Sequence, residues 1–223
     1  MEFGKAFSFP FEDQEWLQKL GIAALIMIIP ILGQFIVAGW GLEITRRVIQ
    51  RDPQPLPDWS DFGGHLVRGL QVAVIGLVYS LPIILVSACQ QGFTIALQNN
   101  NDNTVLTALT ALTVCLSCFS LIYGLFLALV VPAAMGKFAA TGQMGAAFRF
   151  GEVFNLVRAA PAAYLITLLG GLVAGFIAML GLVVCIIGVI FTAAYAYAIN
   201  GHLYGQAYNE AVAPGGAATV QAY

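Results

Sequence analysis

The chain has 223 residues, 60% of them hydrophobic and 9% charged, and a mean hydropathy of +0.86. A soluble domain carries about 25% charged residues, so too few polar groups remain here to cover a globule. The 12% aromatic content excludes a disordered chain, and a formal net charge of −2 gives no pull toward nucleic acid.

A polytopic, all-α transmembrane helical bundle follows. The charged residues fall in clusters, and the gaps between clusters are the expected spans, each needing about 20 mostly apolar residues. The first 19 residues are polar and of mixed charge, and no cleavable signal peptide is expected. Span one is predicted from Leu20 to Leu42. Pro30 lies in its middle, as a kink, a hinge or the tip of a re-entrant hairpin.

Arg46, Arg47, Arg51 and Arg68 follow. Within this segment the run Asp52-Pro-Gln-Pro-Leu-Pro57 is stiff and extended. After it, Trp59, Phe62, Leu66 and Leu70 form the apolar stripe of a predicted interfacial helix, with Asp58 at its start. Span two is predicted over 70–88, with Pro82 inside, and span three over 105–131, ending at Pro132. The loop from Gln90 to Thr104 is rich in Asn and Gln and holds no Lys or Arg. A second basic segment carries Lys137, Arg149 and Arg158. In it Phe150, Val153, Phe154 and Val157 mark a second interfacial amphipathic helix.

No charge lies between Arg158 and Glu210, so spans four (162–179) and five (182–199) are expected there, with a turn at Met179–Gly181. Residues 1–208 form one transmembrane domain, and 209–223 are expected to be a disordered tail. The Lys/Arg bias puts both basic segments and the C-terminus in the cytoplasm. About five spans result. Four spans plus an N-terminal re-entrant hairpin is the alternative, and the side of the N-terminus stays open between the two.

Few residues point to chemistry. Cys115 and Cys118 form a Cys-x-x-Cys, with Cys89 and Cys185 elsewhere. They fall at different depths on three spans, which suits helix packing better than a metal site. His65 and His202 each stand in a Gly-His-Leu triplet. Whether either ligates a metal or a pigment is left open. No catalytic set and no cofactor is expected, because no Ser-His-Asp order, phosphate loop or carboxylate pair falls at matching depths. No charge is placed inside a span, which weighs against ion-coupled transport.

Neutral polar residues remain. Gln34, Thr107, Thr110, Thr113, Ser117 and Ser120 would line a polar path or bond between helices. Gly171 and Gly175, Ala194 and Ala198, and Gly201 and Gly205 each have small-x-x-x-small spacing, which permits close helix packing.

Several stretches together resemble a family of prokaryotic multi-pass membrane proteins known only as a domain of unknown function. They are Phe9-Pro10-Phe11-x4-Trp16, Ile29-Pro30-Ile31-x-Gly33 and Leu56-Pro57-x-Trp59-x-Asp61. Two further stretches are Gly181-Leu182-x-x-Cys185-x-x-Gly188 and His202-Leu203-x-Gly205-Gln206-Ala207-Tyr208. The resemblance implies a prokaryotic cytoplasmic membrane protein and carries over no activity. The expected function is a non-enzymatic accessory, scaffolding or assembly subunit. Its partners would be the lipid bilayer and other membrane subunits or itself. The alternative is a small transporter or channel for a neutral or lipidic substrate.

Overall fold

The computed structural model describes residues 1–98, 102–184 and 186–213. Among them are nine helices and no strand. In chain order these are α1 (Lys5–Glu12), α2 (Trp16–Met27), α3 (Leu32–Ile49), α4 (Phe62–Gln98) and α5 (Asn103–Thr141). They continue with α6 (Met144–Ala147), α7 (Phe150–Ala159), α8 (Pro161–Val184) and α9 (Ile186–Val212). Three of the described helices, α4, α5 and α8, are long and apolar enough to cross a membrane. The chain divides into two compact units, one of Met1–Ile75 with Leu129–Tyr223 and the other of Gly76–Ala128.

In the first unit, the expected span one is two helices. The Lys19 ammonium donates to the Leu56 carbonyl at 3.3 Å, and the Trp59 indole donates to the Lys19 carbonyl at 2.9 Å. The Trp40 indole donates to the Pro57 carbonyl at 3.1 Å. In one straight helix residues 19 and 40 would stand about 30 Å apart. Here both reach the same proline segment, so α2 and α3 form a hairpin with its turn at Ile28–Ile31. Proline cannot donate to the helical ladder. The chain reverses through a γ-turn instead, with Ile31 at φ 67° and ψ −63° and the Leu32 N–H bonded to the Pro30 carbonyl at 2.8 Å. Gly33 completes the corner, because a Cβ there would collide with the Ile26 carbonyl.

Glycines also set the crossings of α3. A Cβ at Gly39 would collide with the His65 carbonyl, and one at Gly69 with the Phe35 carbonyl, so α3 and α4 touch backbone to backbone. On the other side α3 meets α9. A Cβ at Gly205 would lie 2.6 Å from the Val48 Cβ and 2.8 Å from the Thr45 carbonyl. Thr45 donates its hydroxyl to the Gly201 carbonyl at 3.0 Å. The core around Trp40, Ile44 and Val37 takes in Leu20, Leu56 and Ala198. A smaller cluster packs Ala6 and Ala174 against Ile199 and Leu203.

Other boundaries also differ from expectation. The first interfacial helix is no separate element, because α4 runs unbroken from Phe62. Its start is capped by Asp61, which accepts from the Gly64 N–H at 3.0 Å. Asp58 instead accepts from the Ser60 N–H at 2.9 Å, closing a local turn. Pro132 does not end its helix: α5 continues to Thr141, and burial of 132–139 against the first unit holds the proline-bearing stretch helical. The predicted turn at Met179–Gly181 is helical too. Gly181 is a packing position, where a Cβ would meet the Gly188 carbonyl of α9 at 2.6 Å. Helix α8 ends at Val184 and α9 begins at Ile186, and residues 185 and 214–223 lie outside the described residues. The first residues of the expected tail are helical, since α9 runs to Val212.

The second basic segment does contain a short helix, α7, but the face it buries is Val153 and Leu156. Phe150 and Phe154 of the expected stripe are exposed. Lys137 of α5, itself buried, pairs with Glu152 of α7.

The second unit is an antiparallel helix pair. The Tyr123 hydroxyl donates to the Tyr79 carbonyl at 2.8 Å, and the Gln90 amide to the Ser117 hydroxyl at 3.0 Å. Position rises along α4 as it falls along α5. Asp102 caps α5 by accepting from the Thr104 N–H at 2.8 Å.

Candidate functional site

The polar groups of the first unit gather around the proline run and the ends of the helices beside it. Local chain chemistry begins the arrangement. Helix α3 ends with Arg51 at φ 57°, and the Asp52 N–H reaches back to the Arg47 carbonyl at 2.9 Å. This is a Schellman closure with arginine where glycine is usual. The proline run that follows forms no helix, and its Leu56 and Pro57 carbonyls meet Lys19 and Trp40.

Aromatic stacking locks the segment. The rings of Trp40 and Trp59 are parallel within 9°, with centroids 5.5 Å apart, and His65 meets Trp59 edge-on at 5.5 Å. Nε2 of His65 is 3.3 Å from the Asp58 carbonyl and its Nδ1 is 3.2 Å from the Arg68 guanidinium. The ring therefore donates through Nε2 and accepts at Nδ1.

Charges complete the network. Lys19 and Asp13 pair at 2.6 Å, each side chain 11% exposed. Burial works to raise the Asp13 pKa, but the Lys19 hydrogen bond, the Glu15 N–H and the Lys19 charge together hold it below its ordinary value. Asp61 is lowered chiefly by its bond from Arg68, with the Gly64 N–H adding to it. Glu152 is lowered by its bond from Lys137. Glu43 of α3 stands 3.8 Å from Arg46, 3.7 Å from Arg47 and 3.7 Å from Arg68. Within this cluster Glu43 Oε2 and Arg68 Nε are buried and make no hydrogen bond.

Helix α1 covers the far side. Tyr195 donates its hydroxyl to the Phe7 carbonyl at 2.6 Å. Phe9 stacks on His202 with centroids 4.4 Å apart, and Gln206 reaches the Nδ1 of His202 at 3.1 Å. Burial pushes the His202 pKa down to about 4, with the Lys5 charge adding to the effect.

Four cavities open on this end. One of about 530 Å³ lies among α1, the proline run and the end of α9, touching Lys5, Arg51 and His202. A neighbour of about 440 Å³ shares its Phe9 and Pro55 walls and touches Asp13, Glu15 and Lys19. Two more, of about 300 and 180 Å³, share Leu42; the larger lies among α3, α4 and α5, and the smaller is also walled by α9.

The residues singled out in the sequence are scattered across this geometry. Gln34 is exposed on α3 and Pro30 sits in the hairpin turn, while Pro82 lies within α4. Thr107, Thr110, Thr113 and Ser117 each donate to the carbonyl four residues back on their own helix. Ser120 Oγ is buried and makes no hydrogen bond. None of the four cavities is lined by these residues.

Among the small residues, Gly201 and Gly205 face α3, and Gly171 faces Asn200 of α9, while nothing approaches Gly175. Ala194 and Ala198 are wholly buried against the α2–α3 core. The thiols of Cys89, Cys115 and Cys118 are free and exposed, and Cys185 lies outside the described residues. Among the described residues, no three His, Cys, Asp or Glu side chains stand close enough together to hold a metal.

Sequence reasoning missed the Trp40–Pro57 bond and the Glu43 and Lys137 pairs. Trp59, just after Pro53, Pro55 and Pro57, was the available signal for the first. Charge pairing across helices has no local signature.

The profile of a family described as "Protein of unknown function (DUF4013)" matches residues 22–200, and the chain belongs to that family. No curated protein and no solved structure matches it.

Proposed function

We propose that the chain is a non-enzymatic, multi-pass protein of the prokaryotic cytoplasmic membrane that serves as an accessory, scaffolding or assembly subunit. One observation supports this most. In the most apolar stretches of α4, α5 and α8, only 11%, 6% and 22% of residues are buried within the chain. Such a surface needs hydrocarbon or partner helices around it.

In this reading α4, α5, α8 and α9 cross the bilayer, and the α2–α3 hairpin enters part-way from the cytoplasmic side. The exposed hairpin tip of Ile28, Ile29, Ile31 and Leu32 supports that insertion. Lys19, the proline run and both basic segments then share the cytoplasmic face, as the positive-inside bias requires. Both termini lie on that face too, consistent with the Glu2–Gln206 hydrogen bonds between α1's start and α9.

The test is native electrophoresis of mildly solubilised membranes, followed by mass spectrometry of the band that contains the chain. The expected result is an assembly with other membrane chains or with further copies. Recovery as a lone monomer would overturn the subunit reading and favour the transporter alternative. Reporters fused at the two ends check the topology, and both should read cytoplasmic.

A further inference from the structure

We propose that the two cavities meeting at Leu42 form one binding site for a single phospholipid whose headgroup carries both a phosphodiester and a primary ammonium. The proposal goes beyond the subunit reading and rests on its membrane placement.

The order of the lining residues carries the argument. The 300 Å³ cavity is polar and touches Glu43, Arg46, Arg68 and Gln71. The 180 Å³ cavity is mostly apolar, touching Ala38, Gly41, Val72, Val131 and Met135, with Thr45 of α3 and Tyr197, Asn200 and Tyr204 of α9 also in its wall. On α4 and α5 the polar cavity's residues lie nearer the end that carries the charges, and on α3 the two cavities overlap between Leu42 and Arg46. Along α3, Ala38 and Gly41 precede Glu43 and Arg46. Along α5, Val131 and Met135 precede the polar cavity's Phe138 and Thr141. Along α4, which runs the other way, Arg68 comes before Val72. A charged chamber thus opens at the polar end, with an apolar trough directly below it. A phospholipid divides itself in the same way between headgroup and acyl chain.

The charges select the headgroup. Arg68 Nε and Glu43 Oε2 are buried, 3.7 Å apart, and make no hydrogen bond. Leaving two such groups unsatisfied is costly. The Arg46 side chain, 3.8 Å from the same Glu43 oxygen, is 49% exposed and within reach of a ligand in the chamber. A phosphodiester accepts from Arg68 Nε and Arg46, while an ammonium donates to Glu43 Oε2. The end of α5, which lines the same chamber through Thr141, presents carbonyls that attract a cation. A headgroup with phosphate alone leaves Glu43 unsatisfied. A trimethylated amine has no proton to give it.

The experiment uses the full chain, delipidated in detergent and titrated with phosphatidylethanolamine, phosphatidylcholine or phosphatidylglycerol, with bound lipid read by native mass spectrometry. One phosphatidylethanolamine should bind per chain, about tenfold tighter than the other two lipids, as one charge-assisted hydrogen bond implies. Glu43→Gln should erase that preference. Arg46→Ala should weaken all three lipids by about tenfold, with Arg46→Lys restoring part of the loss. Ala38→Leu, which fills the trough, should weaken binding without changing headgroup preference.

Glycerophosphoethanolamine and inorganic phosphate serve as the tail-less arms. Competition by either at the lipid's own concentration would assign the site to a soluble phosphate compound instead. Equal binding of the three lipids, or a preference that survives Glu43→Gln, would overturn the proposal and leave annular lipid only. Thermal melting of each variant separates lost binding from lost fold. Alkaline extraction of membranes tests the membrane placement by itself, so the two failures are distinguishable.

Discussion

The glycines at the helix crossings of the first unit behave differently from those of the second. In the first unit Gly39 and Gly69 face opposing backbone, and Gly201 and Gly205 seat α9 against α3. In the second, Gly76, Gly92 and Gly124 have nothing within 4 Å. The same residue is a packing requirement in one place and a helix-weakening choice in the other. Among polar groups, Tyr123 and Gln90 bond across the helices of the second unit, but its threonines do not. First-unit tryptophans, lysines and carboxylates bond across elements, whereas the threonines of the second unit bond within their own helix. The first unit is specified by its own contacts. The surface of the second is left to whatever surrounds it.

The largest test of this contrast is a pair of substitutions. Gly39→Ala should destabilise the fold by about 3 kcal/mol, because backbone cannot yield to the added methyl. Gly124→Ala should cost nothing and add up to about 1 kcal/mol from helix propensity. Chemical unfolding in detergent reads both, and equal losses would erase the distinction.

Next in size is the effect of pH through His202. Its folded pKa of about 4 lies below the unfolded value of about 6.5. Below that unfolded value the unfolded chain binds the proton that the folded chain refuses. Stability should therefore be full above about pH 6.5 and fall as the pH drops toward 4, by on the order of 3 kcal/mol. His202→Gln should flatten this part of the pH profile.

Trp40→Phe removes the donor to the Pro57 carbonyl and should cost about 1 kcal/mol in the same unfolding measurement. Ile31→Gly should raise stability by about 1 kcal/mol, since a β-branched residue at φ 67° is strained. Smallest of all is Thr110→Val in the second unit. Its hydroxyl serves only the Leu106 carbonyl, and the change should stay within about 0.5 kcal/mol.

Composition and charge spacing made an all-helical chain with membrane-length apolar helices legible, and the resemblance to a family of unknown function pointed to the right kin. The Leu56–Asp61 motif was visible as a pattern, but its use in bonding Trp40 and Lys19 required long-range contacts. Pro30 illustrates the limit. A proline within an apolar run is compatible with a kink or a reversal, and bonds from residues 19 and 40 to one segment decide between them. Gly181 misled for a related reason. Glycine marks a turn when read locally, yet here it lets α8 approach the Gly188 carbonyl. Pro132 was read as a stop, because local propensity cannot count the burial that keeps α5 helical beyond it. The polar candidates Gln34 and Thr107 to Ser120 shared residue type and spacing, and neither property brings side chains to a common cavity.

The pairing of α3 with α9 has a consequence for synthesis. Ribosomes deliver this chain from its first helix to its last. The glycine-lined face of α3, and the core around Trp40 with it, meets Ala194, Ala198 and Gly201 only after the final helix emerges. Until then the opening hairpin lacks its α9 wall and is held by α1, α4 and the proline run. Chains cut short before residue 194 should therefore accumulate as targets for membrane proteases, even with every earlier helix inserted. Helix α9 is the wall against which the first helices lean.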